Sequence, residues 1–107
     1  ISSSALVYTQ LKHESNKENK QKYKKHLINK IFNNEVDAIT FTSPLTVKNL
    51  FKVAENKKEL AKILSNNVLT VSIGPITGYA LDDFNVKYIY PERYTVKDMI
   101  DLMFKSF

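Results

Sequence analysis

Ala38-Ile39-Thr40-Phe41-Thr42, followed at once by Ser43-Pro44, decides the fold class. The first five residues are apolar or β-branched and read as a short buried strand. Ser43 suits a helix N-cap. Pro44 suits the first helical position, where its missing N–H would be unpaired anyway. A strand therefore runs straight into a helix. The same punctuation recurs where Val68-Leu69-Thr70-Val71-Ser72-Ile73 meets Gly74-Pro75. Two strand-to-helix junctions of this kind point to βα units and a parallel sheet.

Working outward, Ala5-Leu6-Val7-Tyr8-Thr9 reads as a further strand. Ser15-Asn16-Lys17-Glu18 forms a capping-box pattern. Behind it Tyr23, Leu27, Ile28 and Ile31 fall at helical spacing, and Asn33-Asn34 closes that helix. After Pro44, Leu50, Phe51 and Ala54 supply an apolar side. Asn56-Lys57-Lys58-Glu59 starts another helix, with Leu60, Ile63 and Leu64. The helix after Pro75 carries Tyr79, Ala80, Leu81 and Phe84 as its apolar residues. Val86-Lys87-Tyr88-Ile89-Tyr90 alternates and reads as a fourth strand nearer an edge. Thr95-Val96-Lys97-Asp98 caps a last helix bearing Val96, Met99, Ile100 and Met103. The predicted order is β-α-β-α-α-β-α-β-α, a parallel sheet covered on both faces.

The chain has 107 residues, 43% apolar and 25% charged, with five Gly plus Pro. That composition suits one globular α/β domain over residues 1–107 and argues against disorder. Without cysteine, disulfides, thiolate zinc sites and cysteine nucleophiles are excluded. No apolar run nears the roughly 20 residues of a membrane span, and no secretory signal is visible, so a soluble, cytoplasmic protein with no membrane association is expected. The chain opens on Ile1, which suggests processing, trimming or a piece of something longer. The net charge of +5 is concentrated. Residues 12–30 hold seven lysines against Glu14 and Glu18, while the remainder is balanced at nine against nine. Such a segment can attract nucleic acid or an acidic small molecule, or simply form a solvated helix face. Arg93 is the single arginine, which weakens the nucleic-acid reading.

In open α/β sheets, ligands bind beyond the carboxyl ends of the strands. Four junctions would share that edge: Tyr8 and Thr9; Thr42, Ser43 and Pro44; Gly74, Pro75 and Thr77; and Pro91, Tyr94 and Thr95. These hydroxyl-rich turns open onto helix N-termini, a surface that favours carboxylate or phosphate. Capping alone explains each junction singly; their convergence on one crevice is what suggests a site. There is no Walker loop and no GxGxxG, and neither HExxH nor GxSxG occurs. His13 and His26, thirteen apart, cannot meet on one helix face. Asp82-Asp83 read as solvated. No metal site is expected.

Several stretches together resemble the uroporphyrinogen-III synthase family. Val7-Tyr8-Thr9-Gln10 resembles its hinge strand. Asp37-Ala38-Ile39-Thr40-Phe41-Thr42-Ser43-Pro44, with Val47 following, resembles its D-x-I-x-F-T-S-P segment. Ile73-Gly74-Pro75-Ile76-Thr77 with Ala80-Leu81 resembles its I-G-P-x-T-x-x-A-L turn, and Tyr94-Thr95-Val96 its closing motif. The resemblance implies a flavodoxin-like fold that is incomplete here. The family has two α/β domains joined by a two-stranded hinge. This sequence matches the hinge strand, at residues 5–11, and the last segment of one domain. It further implies cyclisation of hydroxymethylbilane to uroporphyrinogen III, with inversion of the last pyrrole ring and loss of water, and without metal or organic cofactor.

In that picture Tyr8 helps the hydroxyl leave. Thr9, Thr42, Ser43, Pro44, Gly74, Pro75, Thr77 and Tyr94 face a linear tetrapyrrole bearing acetate and propionate arms. Ile76 stands where the family often has a second hydroxyl. The partners implied are that substrate and the second domain; the fragment alone is expected to be inactive and open to self-association. The alternatives are a non-catalytic binding module using the basic helix of residues 15–33 on nucleic acid, and a synthase-like sensor that binds a tetrapyrrole without turning it over.

Overall fold

The computed structural model describes residues 7–9 and 17–107, with side chains from residue 25 onward. Its elements are β1 (Val7–Thr9), α1 (Lys17–Phe32), β2 (Ala38–Phe41), α2 (Pro44–Lys52), α3 (Lys57–Asn66), β3 (Leu69–Ser72), α4 (Pro75–Asp83) and α5 (Val96–Lys105). The three strands are parallel in the order β1-β2-β3. The register sets Val7 against Ala38, Ala38 against Leu69 and Thr40 against Val71. The class and alternation are those read from the sequence. Ala5 and Leu6, Gln10 and Leu11, and the Ser15-Asn16 part of the capping box lie outside the described residues. Among the described residues no helix is long and apolar enough to cross a membrane.

The fourth strand read at Val86–Tyr90 is reduced to one parallel bridge, Val71 with Ile89. Two bonds make it: Ser72 N–H donates to Ile89 C=O at 2.8 Å, and Ile89 N–H donates to Thr70 C=O at 3.1 Å. The neighbours on either side are committed elsewhere. Lys87 N–H donates to Ser65 Oγ at 3.0 Å, and Tyr88 Oη donates to Asp82 at 3.1 Å. The alternation was real, but the segment follows α3 and α4 rather than the length of β3.

Side chains alternate across a strand, so Ala38 and Ile39 point to opposite faces and seed two cores. Ile39 and Phe41 lie in the larger, with Leu27, Ile28 and Ile31 of α1, Val47, Leu50 and Phe51 of α2, Leu60 and Leu64 of α3, and Leu81 of α4. Ala38 and Val71 lie in the smaller, with Met99 and Met103 of α5. Strand order that advances steadily with right-handed crossovers puts α1 to α4 on one face. Only α5, beyond the last crossover, covers the other among the described elements.

Helix ends follow the sequence signals. Asn56 Oδ1 accepts from Glu59 N–H at 3.1 Å. The closing residues of α1 and α4 are alike. Asn34 (φ 59°) and Asn85 (φ 61°) are left-handed, and the next N–H reaches back five residues, Glu35 to Lys30 and Val86 to Leu81. This is the αL helix stop that asparagine tolerates.

Gly78, buried in α4, has a different cause. A Cβ there would lie 2.4 Å from the Tyr88 ring. Gly78→Ala is therefore expected to evict Tyr88 and break its bond to Asp82, offsetting the ~1 kcal/mol that Ala gains over Gly in a helix. In a Tyr88→Ala background the same change should stabilise by about that amount. Urea unfolding of the four variants checks it; equal effects in both backgrounds would refute the packing explanation.

Candidate functional site

Parallel strands deliver their carboxyl ends to one edge. There Thr42-Ser43-Pro44 follow β2, Ile73-Gly74-Pro75 follow β3, and Tyr90–Thr95 lead from the bridge into α5. α2 and α4 pack side by side, joined by the rings of Phe51 and Phe84, stacked at 4.1 Å and 7°. Their N-termini are therefore neighbours.

The three helix starts that follow a strand or the bridge at this edge differ in what satisfies them. At α2, Ser43 is extended and its Oγ accepts from Thr46 N–H at 3.3 Å, while Thr46 Oγ1 donates to Ser43 C=O at 2.7 Å. At α5, Thr95 Oγ1 accepts from Asp98 N–H at 3.1 Å and donates to Asp98 Oδ2 at 2.6 Å. A carboxylate from the chain itself fills that start. At α4 the N-cap is Gly74, which makes no side-chain cap bond. Pro75 has no N–H, and Gly78 N–H returns to Gly74 C=O at 3.0 Å. The N–H groups of Ile76 and Thr77 are left over, as the first turn of any helix leaves them. Thr77, in the same turn, is buried. An uncapped N-terminus with the positive end of the helix dipole behind it receives anions.

The turn is held from beneath by Ser72. Its hydroxyl, buried at the end of β3, donates to Gly74 C=O at 2.6 Å and accepts from Gly74 N–H at 3.4 Å. Sequence reading took Ser72 as an ordinary strand residue. The available signal was a small hydroxyl just ahead of a Gly-Pro turn. Gly74 is extended, so its backbone needs no glycine. The need is for space: a Cβ would meet Tyr94 Cγ at 3.0 Å. Tyr94 lies over the turn, and the rings of Tyr88, Tyr90 and Tyr94 follow one another at 6.2 and 6.3 Å. Burial, and then the bond donated to Asp82, raise the pKa of Tyr88 above the usual tyrosine value.

Ser43, Pro44, Gly74, Pro75, Thr77 and Tyr94 are thus brought to one edge, as the sequence suggested. Thr42 is beside them, but its Oγ1 is shielded from solvent and without a partner, as is that of Thr40 one turn of the pleat earlier. Tyr8 and Thr9 pair with Ile39 and Thr40 through the backbone; their side chains lie outside the described residues. Four other exposed residues were not among the expected site residues: Leu45, Ile76, Tyr79 and Tyr90. Tyr79 was expected on the apolar side of its helix and is instead 62% exposed; Val96, expected likewise on α5, is 52% exposed. Leu45 and Ile76, in the first turns of α2 and α4, and the paired rings of Tyr90 and Tyr94 give this edge exposed apolar groups. Large apolar groups gathered in water mark a contact surface. Anion-binding helix starts beside such groups suit a ligand with an apolar body and carboxylate arms.

Among the described residues no group of three or more His, Cys, Asp or Glu could hold a metal. A groove of about 700 Å³ lies between Val68-Leu69 and Asn85–Ile89, at the amino end of β3 and away from the helix starts. Arg93 lies with Asp98, Asp101 and Lys105 in a groove of mixed charge.

The family model of uroporphyrinogen-III synthase HemD matches residues 5–101. A protein assigned to that synthase in Methanothermobacter thermautotrophicus is 53% identical over 75 residues, covering 69% of this chain and 29% of its own. One from Methanocaldococcus jannaschii is 35% identical over 98 residues, covering 92% and 38%. The solved uroporphyrinogen III synthase of Thermus thermophilus superposes with a TM-score of 0.69 at 26% identity, over 76% of this chain and 33% of that one. A second crystal form of the wild-type Thermus enzyme gives 0.70, over 76% and 32%. The chain thus spans about a third of the length of the relatives it matches. The family model covers nearly the whole length of the chain, residues 5–101, and this chain belongs to the uroporphyrinogen-III synthase family.

Proposed function

We propose that this chain supplies one wall of a synthase cleft that closes hydroxymethylbilane to uroporphyrinogen III, inverting the last pyrrole ring and losing water. The observation that carries the reading is the uncapped start of α4. Gly74 gives the N–H groups of Ile76 and Thr77 no side-chain cap, Thr77 is buried beside them, and the turn lies next to the start of α2. Carboxylate arms would take the N–H groups and the hydroxyls of Thr77 and Ser43. The pyrrole rings would lie against Tyr94, Ile76 and Leu45. Tyr8 would donate a proton to the departing hydroxyl, directly or through water. Once water has left, the pyrrole nitrogen supports an azafulvene, and what remains is positioning. Residues 5–11 would serve as a hinge strand to a second domain that forms the opposite wall. The chain alone would then turn over poorly, and its outer strand could pair with another copy. The setting would be the cytoplasm, with neither metal nor organic cofactor.

The test uses the two-domain protein. Tyr8→Phe should lower turnover by about tenfold or more, the usual scale for a lost proton donor. Thr77→Val should chiefly raise KM, by about tenfold for one lost hydrogen bond to a charged group. Unchanged formation of the type III isomer in Tyr8→Phe would remove Tyr8 from the mechanism. Absence of cyclisation in the unaltered protein would overturn the whole reading.

A further inference from the structure

α1 is longer than the fold requires. Its last residues are tied to the end of α3, where Asn67 Nδ2 donates to Asn34 Oδ1 at 3.2 Å. From there the two helices run side by side. α3 begins after its N-cap Asn56, and Asn56 lines a groove with Lys25 of α1. With sixteen residues against ten and their carboxyl ends tied together, α1 reaches past the start of α3 by about six residues, or about 9 Å at ~1.5 Å per residue. α3 leads directly into β3, so its start lies toward the carboxyl edge of the sheet. The overhang stands at the same edge as the helix starts of α2 and α4.

The amino half of α1, which includes the overhang, reads Lys17-Glu18-Asn19-Lys20-Gln21-Lys22-Tyr23-Lys24, four lysines against one glutamate with a single apolar residue. That sequence offers little to a core. It is also the wrong charge for the helix, because cations at an amino terminus oppose the dipole. Lysine suits a helix by propensity, but the dipole does not favour it in the first turn, at Lys17 and Lys20.

From this placement we infer that the amino half of α1 is an electrostatic guide, raising the rate at which a polycarboxylate ligand reaches the carboxyl edge. The inference rests on the proposed function for the identity of the ligand. Outside residues 12–30 the charges balance, so this segment sets the sign of the field. A localised positive field of this kind accelerates encounter with a polyanion and is screened by salt.

The experiment is stopped-flow binding of a porphyrin carrying acetate and propionate on every ring to the two-domain protein, at about 20 and 500 mM salt. Lys20→Glu with Lys24→Glu should slow association about tenfold at low salt, with the gap closing at high salt and dissociation nearly unchanged. The thermal midpoint should hold or rise, since the reversal suits the helix dipole. Equal association rates in variant and parent would overturn the inference. So would a change confined to dissociation, which would mean direct contact rather than guidance. Parent protein that ignores the porphyrin but binds duplex DNA through these lysines would overturn it in favour of the nucleic-acid module. Cyclisation is assayed separately: its absence alongside salt-dependent porphyrin association would sink the synthase reading and leave the guide standing.

Discussion

Phe51→Ala should remove about 3–5 kcal/mol of folding stability, the usual cost of deleting a fully buried phenylalanine. Phe51 is 0% exposed in the larger core. Its ring lies flat on that of Phe84, the residue that ends α4. Truncation opens a cavity between α2 and α4, and neither helix can close it easily, because each is anchored to its own strand by a short turn. A domain of this size has roughly 5–15 kcal/mol in all, so the variant should be marginal. Phe51→Leu keeps most of the volume and should cost about 1–1.5 kcal/mol. Urea unfolding of both variants measures the difference. A loss below about 1 kcal/mol for Phe51→Ala would show that the two helices are held by something other than this stack. The stack ties the carboxyl ends of α2 and α4 together, so loosening it should let the two helices shift relative to each other before the fold is lost.

Much of this was legible in the sequence because the relevant signals are local. Ser43-Pro44 and Gly74-Pro75 each state a strand end and a helix start within two residues. Asn56 with Glu59 and Thr95 with Asp98 state caps that the geometry forms. The close of α1 at Asn33-Asn34 needed only the rule that αL tolerates Asn; Asn85, which ends α4 the same way, was not read. What escaped the sequence depends on neighbours distant in the chain. The alternation of Val86–Tyr90 cannot reveal that Ser65, twenty-two residues before Lys87, takes the N–H a strand would have offered. Tyr79 falls at helical spacing with the apolar side of α4, yet that side is set by which face α2 covers. Its exposure comes from tertiary placement, not periodicity. Likewise no local rule distinguishes Gly74 as the one uncapped start among three. That contrast requires knowing that Ser43 and Thr95 use their own oxygens as caps while Gly74 has none to use.

That contrast yields the second large effect. Ile76→Asp would place a carboxylate in the first turn of α4, against the N–H groups that the rest of the chain leaves open. Two consequences of opposite sign follow. The helix gains, because an acidic residue in the first turn satisfies free N–H groups and the dipole, worth about 0.3–1 kcal/mol. Binding loses, because the new side chain occupies and repels what a ligand carboxylate would have used. A hydrogen bond to a charged group contributes about 1.5–3 kcal/mol, so affinity should fall roughly 10- to 100-fold. Ile76 is 68% exposed, so the change disturbs no core, and loss of packing cannot imitate loss of binding. Ile76→Asn separates the parts: it keeps a side chain of similar size that can accept from the same N–H groups, but carries no charge, and should lie between parent and Asp. The thermal midpoint is read on this chain, and porphyrin carboxylate affinity on the two-domain protein. A stabilised Asp variant with undiminished affinity would mean that the start of α4 is merely an uncapped helix end, and the carboxylate arms would then have to be held elsewhere on the edge.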